Sequence, residues 1–189
     1  MNSLTILGRG SSWKECPFDT QELWASASCL CTPGMSDKNY TRVFAFDDEN
    51  VPILQDAMKI AKDRNIPLVS SLPYATQPYP LMDIVKHFKI NFTKNTVSYM
   101  MALALYEGYK KFYMYGIDQG PGWLLQSGKP WVTFWLGVAT GMGVDVRMGR
   151  GCLRWTYRTA PDGLPEEFLE REMSKPNASQ VREHYGDVG

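Results

Sequence analysis

Four short polar clusters of this 189-residue chain carry residue types that could do chemistry: residues 8–12, 47–50, 92–96 and 118–122. Three of them follow directly on apolar runs that predict buried strands. The fourth opens a strongly apolar segment that predicts a helix. In an open α/β sheet, ligands bind outside the carboxyl ends of the strands, so the four clusters together predict one ligand site at that edge.

The first cluster, which we call the glycine turn, reads GRGSS over residues 8–12. Glycines let the backbone approach a ligand closely, and free amides at a helix start can hold an anion. The turn therefore predicts a cradle for a phosphate or nucleotide, with a plain strand-to-helix turn as the alternative. Trp13 replaces the third small residue of the dinucleotide fingerprint, and no GKS or GKT follows, which argues against NAD and Walker-type sites. The predicted ligand contacts of the turn are Gly8, Gly10, Ser11 and Ser12.

Carboxylates follow two of the predicted strands. Asp47 and Asp48 come after the run RVFAF, and Asp118 comes after the run YMYGI. Adjacent carboxylates at a strand end can coordinate Mg²⁺ or hold a ribose hydroxyl, whereas capping of the next helix is the structural alternative. We predict that Asp47 and Asp118 are catalytic and that Asp48 and Gln119 contact the ligand. Asp47 and Asp48 are also a weak candidate pair of ligands for Mg²⁺.

The cluster at residues 92–96 opens the apolar helix that we predict over 96–108. Asn95 and Thr96 are residue types that suit a helix cap, and a helix N-terminus at the ligand edge also attracts anions. The two interpretations are compatible with each other. The predicted ligand contacts of this helix start are Asn95, Thr96 and Ser98.

Other catalytic and metal motifs are missing from the sequence. His87 and His184 are the only histidines, and a surface position on a short helix is the simpler interpretation of His87. The chain has no Ser-His-Asp or HExxH pattern, and its cysteines do not have the spacing of a common zinc module. We therefore expect four free thiols, at Cys16, Cys29, Cys31 and Cys152.

Strands and helices alternate from residue 4 to residue 148, which favours a parallel sheet with helices on both faces. The strand near 111–117 is predicted to be central. We expect residues 1–158 to form a single α/β domain and residues 159–189 to form a polar C-terminal helix and tail. The predicted strands are 4–7, 25–30, 42–46, 66–72, 110–117 and 144–147, and the predicted helices are 51–65, 81–88, 96–108 and 132–140.

The composition excludes several classes of protein. Twenty basic residues balance twenty acidic ones, which argues against a strongly basic nucleic-acid binder. No apolar run reaches the roughly 18 residues that a membrane span needs, and no signal-peptide pattern opens the chain, so we expect a cytoplasmic protein. Aromatic residues make up 13% of the chain, far more than in a disordered segment. The aromatics and the proline-rich tail would suit a homo-oligomer interface.

Three segments carry a resemblance to a known family. ILGRGSSW (residues 6–13) resembles the G-x-G-P-S-L opening of Rossmann-like proteins that include bacterial sialyltransferases and hydroxymethylpterin diphosphokinase-like proteins. Residues 95–118 are similar to their element T/S-S-x-x-Y-x-x-x-L-A-x-x-x-G-Y-K-x-I-x-L-x-G-x-D. Residues 135–144 resemble the closing helix and strand of short phage-type members, to which the resemblance is closest.

This resemblance implies a Rossmann-like three-layer sandwich and a nucleotide-linked ligand, either a cytidine sugar nucleotide or ATP with a pterin. It implies a small group-transfer enzyme (glycosyl or diphosphoryl transfer) in a bacterial or phage-infected host cell. By position, the glycine turn would contact phosphate or ribose, the start of helix 96–108 would face the ligand, and Asp118 would lie beside it. Ser11 replaces the family proline, and the sialyltransferase catalytic histidine has no counterpart. A non-catalytic nucleotide sensor or sponge, and an assembly protein that retains the fold, therefore stay open as alternatives.

Overall fold

A parallel β-sheet organises the computed structural model, which describes residues 2–90, 93–118, 123–149 and 152, with the backbone alone for 123–127. Seven strands of the described chain pair in parallel in the order β5-β4-β3-β2-β1-β6-β7. The strands are β1 (Ser3–Leu7), β2 (Leu23–Ser26), β3 (Arg42–Phe44), β4 (Leu68–Ser70), β5 (Gln77–Pro78), β6 (Lys111–Tyr115) and β7 (Asp145–Met148).

Side-chain alternation along the strands supplies two separate apolar cores, one on each face of the sheet. On β2, Trp24 enters one core, whereas its neighbours Leu23 and Ala25 enter the other. On β3, Phe44 and Val43 divide in the same way. Both faces of the sheet are therefore buried, as the apolar composition of the strands predicts.

Helices cover both faces. Helix α1 (Pro52–Asp63) packs on one face through Leu54, Ala57 and Ala61, together with a 3₁₀ helix over Ala27–Cys31. Helices α2 (Leu81–Phe88), α3 (Thr96–Tyr106) and α4 (Trp123–Gly141) contribute to the core on the other face. The result is an α/β fold with a parallel sheet between two helical layers, which confirms the predicted fold class.

The strand order reverses between β1 and β6. From β1 the chain adds β2 to β5 on one side, and then crosses over to place β6 and β7 on the other side. The carboxyl ends of β1 and β6 therefore meet at a topological switch point, where doubly wound sheets bind ligands. Because each helix joins two parallel strands, α1, α3 and α4 all begin at this carboxyl edge.

Several predicted elements differ from the structure. The strand expected at 25–30 occupies Leu23–Ser26, and the small residues after it form the 3₁₀ helix. The short strand β5 lies between the predicted strand 66–72 and the predicted helix 81–88 and was not predicted. The helix expected at 132–140 is the second half of the 19-residue α4. The sequence favours a helix that starts after Pro130, because a proline in a helix interior removes a backbone hydrogen bond. Strand β6 lies next to the edge strand β7 and is not central.

Other expectations concern the ends of the chain, the membrane and the thiols. The predicted C-terminal helix and tail at 159–189 lie outside the described residues, so the domain boundary at 158 stays a prediction. No helix of the described ranges is long and apolar enough to cross a bilayer. All four cysteines are free thiols, as predicted.

Candidate functional site

The turn that follows β6 comprises residues 116–118, and we call it the β6 turn. The glycine turn forms hydrogen bonds with the end of β6 and with the β6 turn. The amide of Gly8 donates to the carbonyl of Tyr115 at 2.9 Å, and the amide of Gly10 donates to the carbonyl of Gly116 at 2.7 Å. The two turns therefore form one bonded unit at the switch point, although they lie about a hundred residues apart in sequence. The sequence-based prediction placed Asp118 beside this turn, and the geometry does the same.

The glycines of the two turns are required by this close packing. A Cβ atom at Gly8 would overlap the carbonyl oxygen of Gly116, and a Cβ at Gly10 would overlap the Asp118 carboxylate. Gly116 has a φ of +68°, and a Cβ there would lie 2.6 Å from the carbonyl carbon of Gly8. Sequence reasoning assigned Gly8 and Gly10 to ligand approach, whereas their contacts show that they let one turn approach the other. Contact of either glycine with a ligand stays a prediction.

The two serines of the turn have different environments. Ser12 is buried, its hydroxyl accepts from the amide of Gly116 at 2.8 Å, and it forms a hydrogen bond with the Cys152 thiol at 3.3 Å. Ser11 is exposed, and its amide donates to Oδ2 of Asp118 at 2.5 Å. The Ser12 hydroxyl is thus engaged in the protein interior, and Ser11 is the serine of the turn that faces solvent.

Asp118 holds the turn with one carboxylate oxygen. Its Oδ2 accepts from the Ser11 amide, whereas its Oδ1 is buried and has no hydrogen-bond partner among the residues that the structure describes. An unpaired buried acceptor lowers stability, because it has lost its hydrogen bonds to water. Gln119, the predicted neighbouring contact, lies outside the described residues.

A cleft of about 220 Å³ opens at the carboxyl edge beside these turns. We call it the α1 cleft, because the first turn of α1 forms its apolar wall through Ile53 and Leu54. Arg9 lies on one side and Asp47 on another, at the ends of β1 and β3. The full lining is Arg9, Ser26, Ala27, Ser28, Phe44, Ala45, Asp47, Ile53 and Leu54.

Arg9 brings a positive charge to the α1 cleft. The residue is exposed, and its charge acts on the thiols of the neighbouring 3₁₀ helix. Burial raises the pKa of the Cys29 thiol to about 12, and Arg9 offsets a part of that rise. A guanidinium in an open cleft suits bidentate binding of a phosphate. The sequence signal for Arg9 was its position between two glycines, but its side chain was not assigned a role.

Asp47 and Asp48 are neighbours with different environments. The backbone carbonyl of Asp47 accepts from the Tyr74 hydroxyl at 2.9 Å, and the residue lines the α1 cleft. Asp48 Oδ1 accepts from the amide and the side chain of Asn50 at 2.8 and 2.7 Å, and these bonds lower the pKa of Asp48. Asp48 therefore stabilises the loop before α1.

The predicted Mg²⁺ pair is not part of a larger metal-binding cluster. Among the residues that the structure describes, no group of three or more histidine, cysteine or carboxylate side chains could hold a metal. One of the two carboxylates, that of Asp48, is already bonded to Asn50. Binding of Mg²⁺ by Asp47 and Asp48 stays a prediction.

The start of α3 forms a complete capping box. Asn95 Oδ1 accepts from the amide of Ser98 at 2.8 Å, and the Ser98 hydroxyl accepts from the amide of Asn95 at 3.3 Å. The Asn95 amide group donates to the carbonyl of Gly128 in α4 at 3.1 Å. Ser98 is fully buried, so Asn95 and Ser98 are engaged in holding helices. Thr96, which is half-buried, stands at the same helix start.

Two further features complete the description of the site. Phe46, at the end of β3, stacks on Tyr99 of α3 with ring centroids 3.9 Å apart, which joins the β3 end to the α3 start. His87 contacts Phe88 and Tyr106 at the carboxyl ends of α2 and α3, which is the opposite edge of the sheet. The cleft residues Ser26 and Ser28 were missed because both lie inside the strand that the sequence predicted at 25–30.

Comparison with known proteins supports the fold. No protein-family model matches the chain, and no curated protein matches its sequence. Among solved structures, the chain is similar to the sialyltransferase CstII from Campylobacter jejuni, determined in complex with a substrate analogue, cytidine-5'-monophosphate (CMP). The TM-score is 0.55 at 16% identity, and the match covers 82% of each chain. The chain therefore has a Rossmann-like fold similar to that of a bacterial sialyltransferase, whereas its likeness to diphosphokinase-like and phage-type proteins stays a prediction.

Proposed function

We propose that this chain binds a nucleotide or sugar nucleotide at the carboxyl edge of the sheet and transfers a glycosyl group from it. The observation that carries the proposal is the α1 cleft, which brings Arg9 and Asp47 together at the ends of β1 and β3. The cleft opens beside the switch point, where folds of this type bind ligands. The similar sialyltransferase structure, which contains CMP, supports a nucleotide as the ligand.

The cleft lining has a group for the phosphate, for the acceptor and for a ring. Arg9 would bind the phosphate, and Asp47 would accept from the acceptor hydroxyl. Ile53 and Leu54 would pack against a ring face. Its volume of about 220 Å³ is below the roughly 300–1,000 Å³ of pockets that enclose a drug-sized ligand. The cleft therefore fits one part of a sugar nucleotide, and the remainder would lie along the open edge.

Asp47 is the residue we propose as general base for transfer. Its carboxylate would take the proton of an acceptor hydroxyl while the hydroxyl oxygen bonds to the anomeric carbon. The bond from that carbon to the nucleotide phosphate breaks, and the nucleotide leaves with the bonding electrons. Arg9 would stabilise the charge that develops on the departing phosphate. No step of this scheme uses a metal ion.

A nucleotide-binding protein without turnover is the second candidate. Among the described residues, the only histidine is His87, and it lies at the opposite edge from the α1 cleft. Asp47 is thus the titratable acid–base residue of the described cleft lining. Incubation with a CMP-linked sugar and a hydroxyl acceptor separates the two candidates, because only a transferase releases CMP faster than the buffer does.

The binding claim is tested by calorimetry with CMP on the parent chain and on Arg9→Gln. We expect Arg9→Gln to weaken CMP binding by about 10- to 100-fold, because hydrogen bonds to charged groups contribute about 1.5–3 kcal/mol. Lys14→Gln is the matched control, since it removes one positive charge from an exposed residue nearby that does not line the cleft. Equal CMP affinity in the parent and Arg9→Gln would contradict the proposal.

A further inference from the structure

Arg9 is the central residue of a turn whose backbone is fixed on both sides. Gly8 and Gly10, its two neighbours, donate their amides to the carbonyls of Tyr115 and Gly116. Mutation cannot remove either carbonyl, because both belong to the backbone. The direction in which the Arg9 side chain leaves the turn therefore depends on how the β6 turn lies against it.

Asp118 is the side chain of the β6 turn that bonds to this backbone. Its Oδ2 accepts from the Ser11 amide at 2.5 Å, and its carboxylate fills the space where a Gly10 side chain would stand. Asp118 does not line the α1 cleft, whereas Arg9 does. The carboxylate thus acts on the two residues that follow Arg9 and is not among the groups that face a ligand in that cleft.

We propose that Asp118 is a positioning residue, which fixes the backbone at Gly10 and Ser11 so that the Arg9 guanidinium points into the α1 cleft and binds phosphate. This inference rests on the proposed function, because it takes the cleft to be the nucleotide site. It replaces the catalytic role predicted for Asp118 from sequence. Binding of the phosphate then depends on Asp118, although Asp118 does not contact the phosphate.

The ratio of CMP affinity to cytidine affinity isolates the phosphate contact. We expect Asp118→Ala to lower the affinity for CMP by about tenfold or more, as Arg9→Gln does, and to leave cytidine affinity unchanged. Asp118→Asn keeps an oxygen that can accept from the Ser11 amide, so it should retain most of the parent ratio. A variant that had merely lost stability would bind CMP and cytidine equally poorly.

A ligand-free measurement separates this inference from the proposed function. We expect ¹⁵N relaxation to show lower order parameters for the Gly10 and Ser11 amides in Asp118→Ala, with the parent values restored in Asp118→Asn. Unchanged order parameters, or an unchanged CMP-to-cytidine ratio in Asp118→Ala, would overturn the positioning role. A parent chain that binds no CMP, combined with lower order parameters in Asp118→Ala, would contradict the proposed function and leave the fixing of the turn by Asp118 supported.

Discussion

Gly116 is the residue whose identity the structure explains most completely. It adopts a left-handed φ of +68°, and a Cβ atom would meet the backbone of Gly8, which cannot move without breaking the bonds between the two turns. Strain in the left-handed region and overpacking each cost about 1–3 kcal/mol. The glycine is therefore needed for the fold itself, whatever ligand the site holds.

Replacement of Gly116 by alanine should reduce the free energy of unfolding by about 3 kcal/mol, measured by urea denaturation. The matched control is Gly137→Ala, where a Cβ on α4 would meet nothing within 4 Å. Alanine suits a helix better than glycine, so the control should be neutral or more stable by up to about 1 kcal/mol. Equal stability of the two variants would mean that the turns are not packed as described.

Residue types alone could predict the position of the polar clusters but not the roles of their members. Asp118, Gly10 and Ser11 were assigned to one site from sequence, and they do meet. Arg9 was overlooked because an exposed arginine in a turn is common and carries no local signal of a cleft. That signal arises from contacts between β1, β3 and α1, which are distant in sequence.

At the scale of elements, local patterns determined the helices more accurately than the strands. The amphipathic pattern of 51–65 predicted α1, and the apolar segment at 96–108 predicted α3. The small residues after β2 could not be divided between strand and 3₁₀ helix, because alanine and serine have no strong preference. Pro130 concealed the first half of α4, since a proline inside a helix removes a backbone hydrogen bond and is more typical of a helix start.

Asn95 joins two of these elements, and substitutions can separate its two bonds. Asn95→Ser retains a good helix cap but is too short to reach the carbonyl of Gly128 in α4. We expect its melting temperature to stay close to that of the parent, while hydrogen exchange of α4 amides near Gly128 becomes faster. Pro130 already removes one helical hydrogen bond from this part of α4, so the lost bond should matter there.

Ser98→Ala is the control for this element. It removes a hydroxyl from the capping box and leaves the Asn95–Gly128 bond in place, so exchange should rise at the start of α3 and not in α4. Exchange rates in α4 that are the same in Asn95→Ser and the parent would show that the bond between the helices has no role in holding α4.

At the scale of the whole molecule, the alternation of strands and helices predicted the parallel sheet, and the strand order did not follow from it. The place of β6 beside the edge strand, and the switch point between β1 and β6, depend on where the chain crosses over. The position of this crossover depends on how α3 and α4 pack on one face of the sheet. Such packing joins residues distant in sequence, so no local pattern predicts it. The likeness to a sialyltransferase at 16% identity shows that dissimilar sequences can adopt a similar fold.

The most direct test of the central claim is a crystal structure of the chain with CMP bound. We predict the phosphate within hydrogen-bond distance of the Arg9 guanidinium and the Asp118 carboxylate still bonded to the Ser11 amide. The bound molecule would then occupy the carboxyl edge beside the switch point. CMP at the opposite edge near His87, or a phosphate with no contact to Arg9, would contradict the account.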